Sequence, residues 1–175
     1  MLFRSYDKAL VFSQKCLDVR LKTLGGEHPD VASTYCIMGI VWYDKGENDK
    51  ALEFYQKCLD IRLKTLGGEH PDVANSYYNV GSMWYGKGEY YKALEIYQKG
   101  FKILRKSIFP SKIAELYEAL GNKHESLNYY IQSASIRKDD PLCGLNDKST
   151  LESIENCKRL AVELRKEGDL PEWMN

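Results

Sequence analysis

Apolar residues recur every three or four positions through most of this chain, which predicts a series of amphipathic α helices. The segment 48–66 shows the spacing, with apolar side chains at Ala51, Leu52, Phe54, Tyr55, Cys58, Leu59, Ile61, Leu63 and Leu66. Gly67 follows as a residue suited to end a helix. The pattern predicts one helix of about 18 residues, near 27 Å long.

A second, shorter helix is predicted directly afterwards. Pro71 is tolerated at the first helical position, because its missing N–H would have no intrahelical partner there. From Pro71 to about Lys87, one face carries Ala74, Tyr77, Val80, Gly81 and Trp84. Gly81 costs up to about 1 kcal/mol relative to alanine in mid-helix, and we attribute it to the close approach of another helix.

The same pattern of residues occurs twice in the sequence. Residues 8–50 and 50–92 agree at 30 of 43 aligned positions, which gives a period of 42 residues. A period in this range predicts stacked supersecondary units. Each unit is too small to bury its own apolar face, so neighbouring units are expected to cover one another.

The predicted organisation is an array of helix-turn-helix units followed by a C-terminal helix. The array covers 1–138, divided into a partial first unit at 1–28 and repeats at about 29–70, 71–106 and 107–138. The third repeat is expected to contain helices at Ser111–Leu120 and Glu125–Lys138. An irregular loop is expected at 139–148, since Pro, Gly, Asn and Asp cluster there. Residues 149–175 are predicted to be a capping helix or a partial fourth repeat plus a tail, with Ser149 or Thr150 capping Leu151–Lys166.

The first predicted helix, Lys8–Leu24, has no partner helix before it. It carries Ser13 where the corresponding helices carry Tyr55, Tyr97 and Tyr130. A polar residue at that position is typical of a solvent-tolerant cap, which stacked repeats need at their ends. The alternative interpretation is that the sequence is a piece of a longer array.

Small and aromatic residues occupy matching positions in the two units. The first unit has Tyr35, Gly39, Trp42, Ala51, Tyr55 and Cys58 where the second has Tyr77, Gly81, Trp84, Ala93, Tyr97 and Gly100. This register resembles the tetratricopeptide repeat. The longer period, with LKTLGGEHPDVA at Leu21–Ala32 and Leu63–Ala74, resembles its kinesin light chain-like subfamily. The resemblance implies an all-α, right-handed superhelical solenoid of helix-turn-helix repeats.

The resemblance also implies a function. In each repeat the first helix, here called helix A, lines a concave groove that binds an extended peptide or partner segment, and the second is helix B. In kinesin light chains, asparagines one or two residues before the small residue of helix A help to bind cargo peptides. Asn79 stands at such a place here, whereas Ile37 and Lys112 occupy the matching positions.

The two close copies differ mainly on helix A. The pairs Cys36/Tyr78, Ile37/Asn79, Ile40/Ser82 and Asp44/Gly86 are expected to face the groove from helical spacing. We predict a partner-binding groove that consists of Tyr43, Asp44, Tyr78, Asn79, Ser82, Tyr85, Lys112, Glu115 and Glu118. The Asn79 side chain has a donor and an acceptor for a ligand's backbone. Glu115 and Glu118 favour a ligand with a basic portion.

Composition narrows the function classes. The chain has 25 basic and 25 acidic residues, and this balance argues against nucleic acid or an anionic membrane as the partner. Arg20 and Arg62 are expected on a solvated face of helix B. Neither a membrane span nor a secretory signal is predicted. Five cysteines without metal-ligand spacing favour a reducing compartment, so a cytoplasmic location is expected. Cys16 and Cys58, which match between units, are expected in the core.

Catalytic chemistry is not predicted. His28 and His70 occupy the same Gly-Glu-His-Pro-Asp turn one repeat apart, which favours a structural role at the start of helix A over zinc binding. The chain lacks the GxSxG, P-loop and GxGxxG motifs. We therefore expect no catalytic, cofactor-binding or metal residues.

The sequence predicts a non-enzymatic scaffold or adaptor that binds a protein or peptide partner in its groove, as a monomer or with weak self-association. Two alternatives stay open at this point. One is a self-assembling structural repeat protein that extends through uncapped end helices, and the other is a kinesin light chain-type cargo adaptor.

Overall fold

The computed structural model describes residues 2–105, 108–138, 147–164 and 170–174, with side chains from residue 5 onward. In these ranges the chain forms eight α helices, one short 3₁₀ helix and no strand. The α helices are α1 (Leu2–Leu24), α2 (Pro29–Asp44), α3 (Asn48–Leu66), α4 (Pro71–Gly86), α5 (Tyr90–Ile103), α6 (Ile108–Ala119), α7 (Lys123–Lys138) and α8 (Lys148–Leu164), and the 3₁₀ helix is Glu172–Met174. The chain divides into two compact units, Met1–Ile103 and Leu104–Asn175.

Each unit is built from antiparallel helix pairs. In the first unit, α2 pairs with α3 and α4 pairs with α5, while α1 packs on α2. In the second unit α6 pairs with α7, and α8 packs on α7. The predicted all-α class and the predicted helix-turn-helix units are confirmed. No helix in the described ranges combines the length and the apolar character needed to cross a membrane.

Helices α2 and α4 begin with the same histidine cap. The Nδ1 atom of His70 accepts a hydrogen bond from the Asp72 backbone N–H at 3.1 Å, and His28 accepts one from Asp30 at the same distance. Pro71 takes the first helical position, as the sequence predicts. The two histidines therefore satisfy backbone donors that the helix itself leaves unpaired, which is the structural role expected for them.

The two helices of each pair in the first unit approach closely because a glycine faces a tyrosine. A Cβ atom at Gly39 would lie 2.7 Å from the Tyr55 ring, and one at Gly81 would lie 2.7 Å from the Tyr97 ring. Both tyrosines are buried, Tyr97 at 1% exposure and Tyr55 at 5%. The burial of each ring offsets the low helix propensity of its glycine, and the close approach expected at Gly81 is confirmed.

Arginines of the B helices join consecutive helix pairs. Arg62 of α3 donates to the Asp72 carbonyl oxygen at 3.1 Å and to Ser76 Oγ at 2.9 Å, both on α4. Arg20 of α1 repeats this on α2, with bonds to Asp30 O and Thr34 Oγ1 at 2.9 and 2.7 Å. Both arginines are half-buried. The expectation of a solvated face was wrong for these two residues.

The second unit differs from its prediction at its helix ends. Helix α6 begins at Ile108 rather than Ser111, with Pro110 in its first turn, where proline is tolerated. Asp147, rather than Ser149 or Thr150, caps α8, because its Oδ2 accepts from the N–H groups of both those residues at 3.0 and 3.2 Å. Of the predicted loop at 139–148, only 147 and 148 lie within the described residues, and Lys148 already belongs to α8.

Residues 170–174 pack on the second unit, although the sequence predicts a tail there. Leu170 and Met174 are buried against a cluster that includes Cys157, Leu160 and Ala161 of α8. The 3₁₀ helix Glu172–Met174 thus completes the core of the second unit.

The glycine–tyrosine contact predicts a large stability difference between two glycines of α4. Gly81→Ala places a methyl group against the Tyr97 ring and should lower the free energy of unfolding by about 1–3 kcal/mol, as overpacking does. Gly86→Ala meets nothing within 4 Å and should leave stability unchanged or slightly raised. Urea unfolding of both variants tests the contact, and equal effects at the two positions would contradict it.

Candidate peptide-binding surface

Helices α2 and α4 expose a mixed apolar and polar surface, which we call the A-helix surface and define as Ile37, Ile40, Tyr43, Asp44, Tyr78, Asn79, Ser82 and Tyr85. Ile37, Ile40 and Tyr43 are exposed by 51%, 45% and 52% of their areas. The two helices meet there, since Asn79 Nδ2 lies 3.7 Å from Cys36 Sγ. The first unit thus places six of the nine predicted groove residues on this surface.

The amide nitrogen of Asn79 is engaged by a neighbouring helix. Its Nδ2 group donates to the Cys36 sulfur at 3.7 Å. Its Oδ1 accepts no hydrogen bond from the described residues, and the side chain is half-buried. A half-buried acceptor held by its own amide group is suited to pair with a backbone N–H of a bound peptide.

Ser82 and Tyr78 hold α4 against α5. Ser82 Oγ lies 3.0 Å from the Tyr97 hydroxyl and donates to the Tyr78 carbonyl oxygen at 2.9 Å. The Tyr78 and Tyr97 rings are 5.7 Å apart. These contacts show what the two side chains do inside the unit, and a direct contact of either with a ligand stays a prediction.

Tyr85 and Tyr43 lie farther along the same two helices. The ring of Tyr85 packs on Tyr90 at a centroid distance of 5.7 Å and is 36% exposed. Asp44 and Tyr43, at the end of α2, are both exposed. A partly exposed aromatic ring offers contact area at low entropic cost.

The remaining three predicted residues lie in the second unit. Lys112 and Glu115 pair with each other on α6 at 2.8 Å. Glu118 accepts from Arg159 of α8 at 2.7 Å. Their charges are thus offset within the unit, which weakens the reason given for a basic ligand.

The predicted residue set missed Ile37 and Ile40. Both stand at positions where the two sequence copies differ, and helical spacing places them beside Tyr43 and Asp44. Two aliphatic side chains that are about half exposed on neighbouring turns provide most of the apolar area of α2 on this surface. The divergence between the copies had already indicated that both positions face the groove, but the final residue set left them out.

Cys36 borders the A-helix surface and has an unusual acidity. A hydrogen bond from the Cys58 thiol, the positive charge of Arg62 and the Asn79 amide together lower the pKa of Cys36. Burial and Asp72 act in the opposite direction. The bond that Cys58 donates to Cys36, together with burial, raises the pKa of Cys58. Cys58 is 1% exposed, which confirms its predicted place in the core, whereas Cys16 is only half-buried.

Family models described as tetratricopeptide repeat match residues 3–64, 38–106 and 111–143. These matches cover well over half of the chain. The chain therefore belongs to the tetratricopeptide repeat family. No curated protein sequence matches it.

Several solved structures share the fold. A candidate kinesin light chain of Podosopora anserina with nearly identical TPR-like repeats superposes with a TM-score of 0.76 at 20% identity, over 94% of this chain and 81% of that one. BtubC (BKLC) from P. vanneervenii gives 0.80 at 17% identity, over 93% and 67%. MamA gives 0.69 at 16% identity, over 93% and 81%.

These likenesses concern the fold alone, since every identity is low. They confirm the predicted solenoid of tetratricopeptide repeats, and they confirm the kinesin light chain-like kind of repeat at the level of the fold. The family match and the similar structures support a general role as a protein–protein interaction scaffold.

The environment of Cys36 predicts an unusual pH profile for its alkylation. Thiolate forms as pH rises through the pKa, so the rate with iodoacetamide should reach half of its maximum at a pH below the value of about 8.5 for an ordinary thiol. Cys58→Ala and Asn79→Ala each remove a hydrogen bond that favours the thiolate, and each should move the midpoint upward. Mass spectrometry of the Cys36 peptide gives the rate at each pH.

Cys157 serves as the internal reference in this experiment. Its burial raises the pKa of its thiol to about 12, so it should stay unmodified at neutral pH while the protein is folded. A Cys36 midpoint at about 8.5, the value of an ordinary thiol, would contradict the proposed stabilisation.

Proposed function

We propose that this chain is a non-enzymatic interaction scaffold that binds an extended peptide on the A-helix surface. The observation that carries the proposal is the row of exposed apolar side chains on α2, Ile37, Ile40 and Tyr43, lying beside the open acceptor of Asn79 on α4. Apolar side chains supply affinity on desolvation, and one fixed polar group sets the direction of the ligand's backbone.

The isoleucines and Asn79 are expected to contribute unequally to the free energy of peptide binding. Burying an isoleucine side chain contributes about 1.5–3 kcal/mol when it is complete, and these two are already about half covered. A single hydrogen bond to Asn79 Oδ1 contributes about 0.5–1.5 kcal/mol net. The ligand is therefore expected to present aliphatic or aromatic side chains to α2 and its main chain to α4.

The binding surface can be tested without knowing the natural partner. A peptide is selected from a random display library on the wild-type chain, and its Kd is measured by fluorescence anisotropy. Asn79→Ala and Ile37→Ser should each weaken binding by roughly tenfold, the loss expected for a residue at the centre of an interface. Tyr78 is a poor choice for this test, because its ring packs on Tyr97 and its removal would also change stability.

A matched control lies in the second unit. Asn128 of α7 is exposed, and Asn128→Ala makes the same chemical change away from the A-helix surface. It should leave the Kd unchanged, and circular dichroism melts should show all three variants folded. Normal binding by Asn79→Ala and Ile37→Ser would overturn the proposal.

Self-association is the second candidate function, and α1 favours it. This helix exposes Phe12 by 70% and Val19 by 60% of their areas. Exposed lysines at 8, 15 and 22 run along one edge of that apolar stripe. Helix α8 exposes Leu151 and Val162 with Glu155 and Lys158 between them, so α8 of a second copy offers a second apolar stripe for α1 to pack against.

Light scattering across a range of protein concentrations tests self-association. The mean mass of the wild-type chain should rise with concentration, and Phe12→Asp combined with Val19→Asp should abolish the rise by placing charges in the stripe. Tyr91→Asp changes an exposed aromatic residue elsewhere, on α5, and should leave the rise intact. A strictly monomeric wild-type chain would rule out this function.

A kinesin light chain-type cargo role and a cytoplasmic location stay predictions. The resemblance implies an asparagine at one position of each repeat. Asn79 is the only asparagine among the three, and the first repeat has the apolar residue Ile37 there.

A further inference from the structure

One pair of positions recurs with the same spacing of 22 residues in each of the three helix pairs. In the third pair, Ser111 of α6 and Ser133 of α7 are 22 residues apart in sequence, and their Oγ atoms lie 2.6 Å apart. They are placed three residues outside Ala114 and Tyr130, the counterparts of Gly39 and Tyr55 in the first pair. The same positions in the first pair are Cys36 and Cys58, also 22 residues apart.

The residue types in the middle repeat fit two positions that share one space. There the pair is Tyr78 and Gly100, a large side chain opposite none. The first pair has two side chains of medium size at these positions, whereas the second has one large side chain and one glycine. Close packing favours such compensation in size between neighbouring residues. Gly100 is buried, and the Tyr78 ring packs over the same helix against Tyr97.

The two cysteines of the first pair share one core cluster and differ in access to solvent. Cys36 packs against the buried cluster that contains Cys58. Cys36 is half-buried at the edge of the A-helix surface, where Asn79 also contacts its sulfur at 3.7 Å. Cys58 is 1% exposed and lies 3.8 Å from Ser76 Oγ, which Arg62 holds.

We propose that Cys36 and Cys58 form a redox-active pair, in which a peroxide oxidises Cys36 and Cys58 then closes an intramolecular disulfide across α2 and α3. Side chains that bring two hydroxyl oxygens to 2.6 Å at the equivalent positions have their Cβ atoms near the separation that a disulfide needs, about 3.5–4.5 Å. Arg62 favours the thiolate of Cys36, which is the nucleophile in the first step.

The chemistry takes place in two steps with hydrogen peroxide as the oxidant. The Cys36 thiolate attacks one peroxide oxygen, the O–O bond breaks, and the departing hydroxide takes a proton to become water, leaving a sulfenic acid on Cys36. Cys58 then loses its proton and attacks that sulfur. An S–S bond forms, the S–O bond breaks, and a second water leaves. Two thiols and one peroxide thus give one disulfide and two waters.

Cys16 provides a matched control within the same chain. It occupies the position of Cys58 in the preceding B helix, inside the same sequence Gln-Lys-Cys-Leu-Asp, yet no described residue places a second thiol opposite it. It is also more exposed than Cys58. If exposure alone decided oxidation, Cys16 would react ahead of Cys58.

The experiment treats the full folded chain with hydrogen peroxide, alkylates the remaining thiols and maps the peptides under non-reducing conditions. The expected product is a cross-link between the peptides of Cys36 and Cys58, with the loss of two hydrogens, while Cys16 stays alkylated. In Cys58→Ser, Cys36 should stop at the sulfenic acid, which dimedone traps. In Cys36→Ser, oxidation of Cys58 should fall at least about tenfold, because its thiol is buried.

Three outcomes would overturn the proposal: Cys16 oxidised before the pair, Cys36 linked to another molecule, or no dimedone adduct on Cys36 in Cys58→Ser. Circular dichroism melts show that each variant is folded before oxidation. Every readout is made on the protein alone and requires no peptide ligand. Failure of the thiol pair would therefore leave the proposed peptide-binding surface untouched, and the reverse also holds.

Discussion

The contact between a small residue of one helix and a tyrosine of the next sets the geometry of each repeat. Gly39 against Tyr55 and Gly81 against Tyr97 leave no room even for a methyl group. Because this contact fixes how closely helices A and B pack, it also fixes what lies one turn away. Cys36 stands three residues before Gly39 and packs against the cluster that contains Cys58. Asn79 stands two residues before Gly81, and its side chain reaches Cys36 of α2.

Polar contacts complement this apolar packing where one helix pair meets the next. Arg20 and Arg62 each bind a carbonyl oxygen and a hydroxyl of the following A helix. Such half-buried, charge-assisted bonds are worth about 1.5–3 kcal/mol each. The exposed pairs that also connect the helix pairs, Lys45 with Asp7 and Lys87 with Asp49, contribute about 0–1 kcal/mol. The arginines therefore stabilise the stacking more than the lysines do.

Much of the fold could be predicted because its signals are local or repeated. The start of α4 at Pro71, the left-handed Gly67 and the tight contact at Gly81 all follow from residue types at fixed spacings. Side-chain partners were harder to predict. Arg62 was placed in solvent because a helical wheel shows which face a residue occupies but not which neighbour meets that face.

The candidate site could also be predicted only in part. Helical spacing predicted that the divergent positions of α2 and α4 lie on one surface, and the contact of Asn79 with Cys36 joins two of them. It could not show that Ser82 is engaged by Tyr97, or that Glu118 is engaged by Arg159. These partners come from helices 15 and 41 residues away in sequence, and only the packed structure brings them together. Whether the surface binds a peptide stays a prediction.

The arginine contacts between helix pairs have a consequence for how such a chain can lengthen. The contacts of α1 with α2 and of α3 with α4 use an arginine and a hydroxyl residue at the same spacing. The B helix of one repeat can therefore make the same contact with the A helix of an identical repeat that follows it. A tandem duplication of 42 residues would create a new junction whose polar groups are satisfied from the outset. Gene duplication can thus extend this architecture without any compensating mutation, and later substitutions can accumulate on the exposed face of each new module.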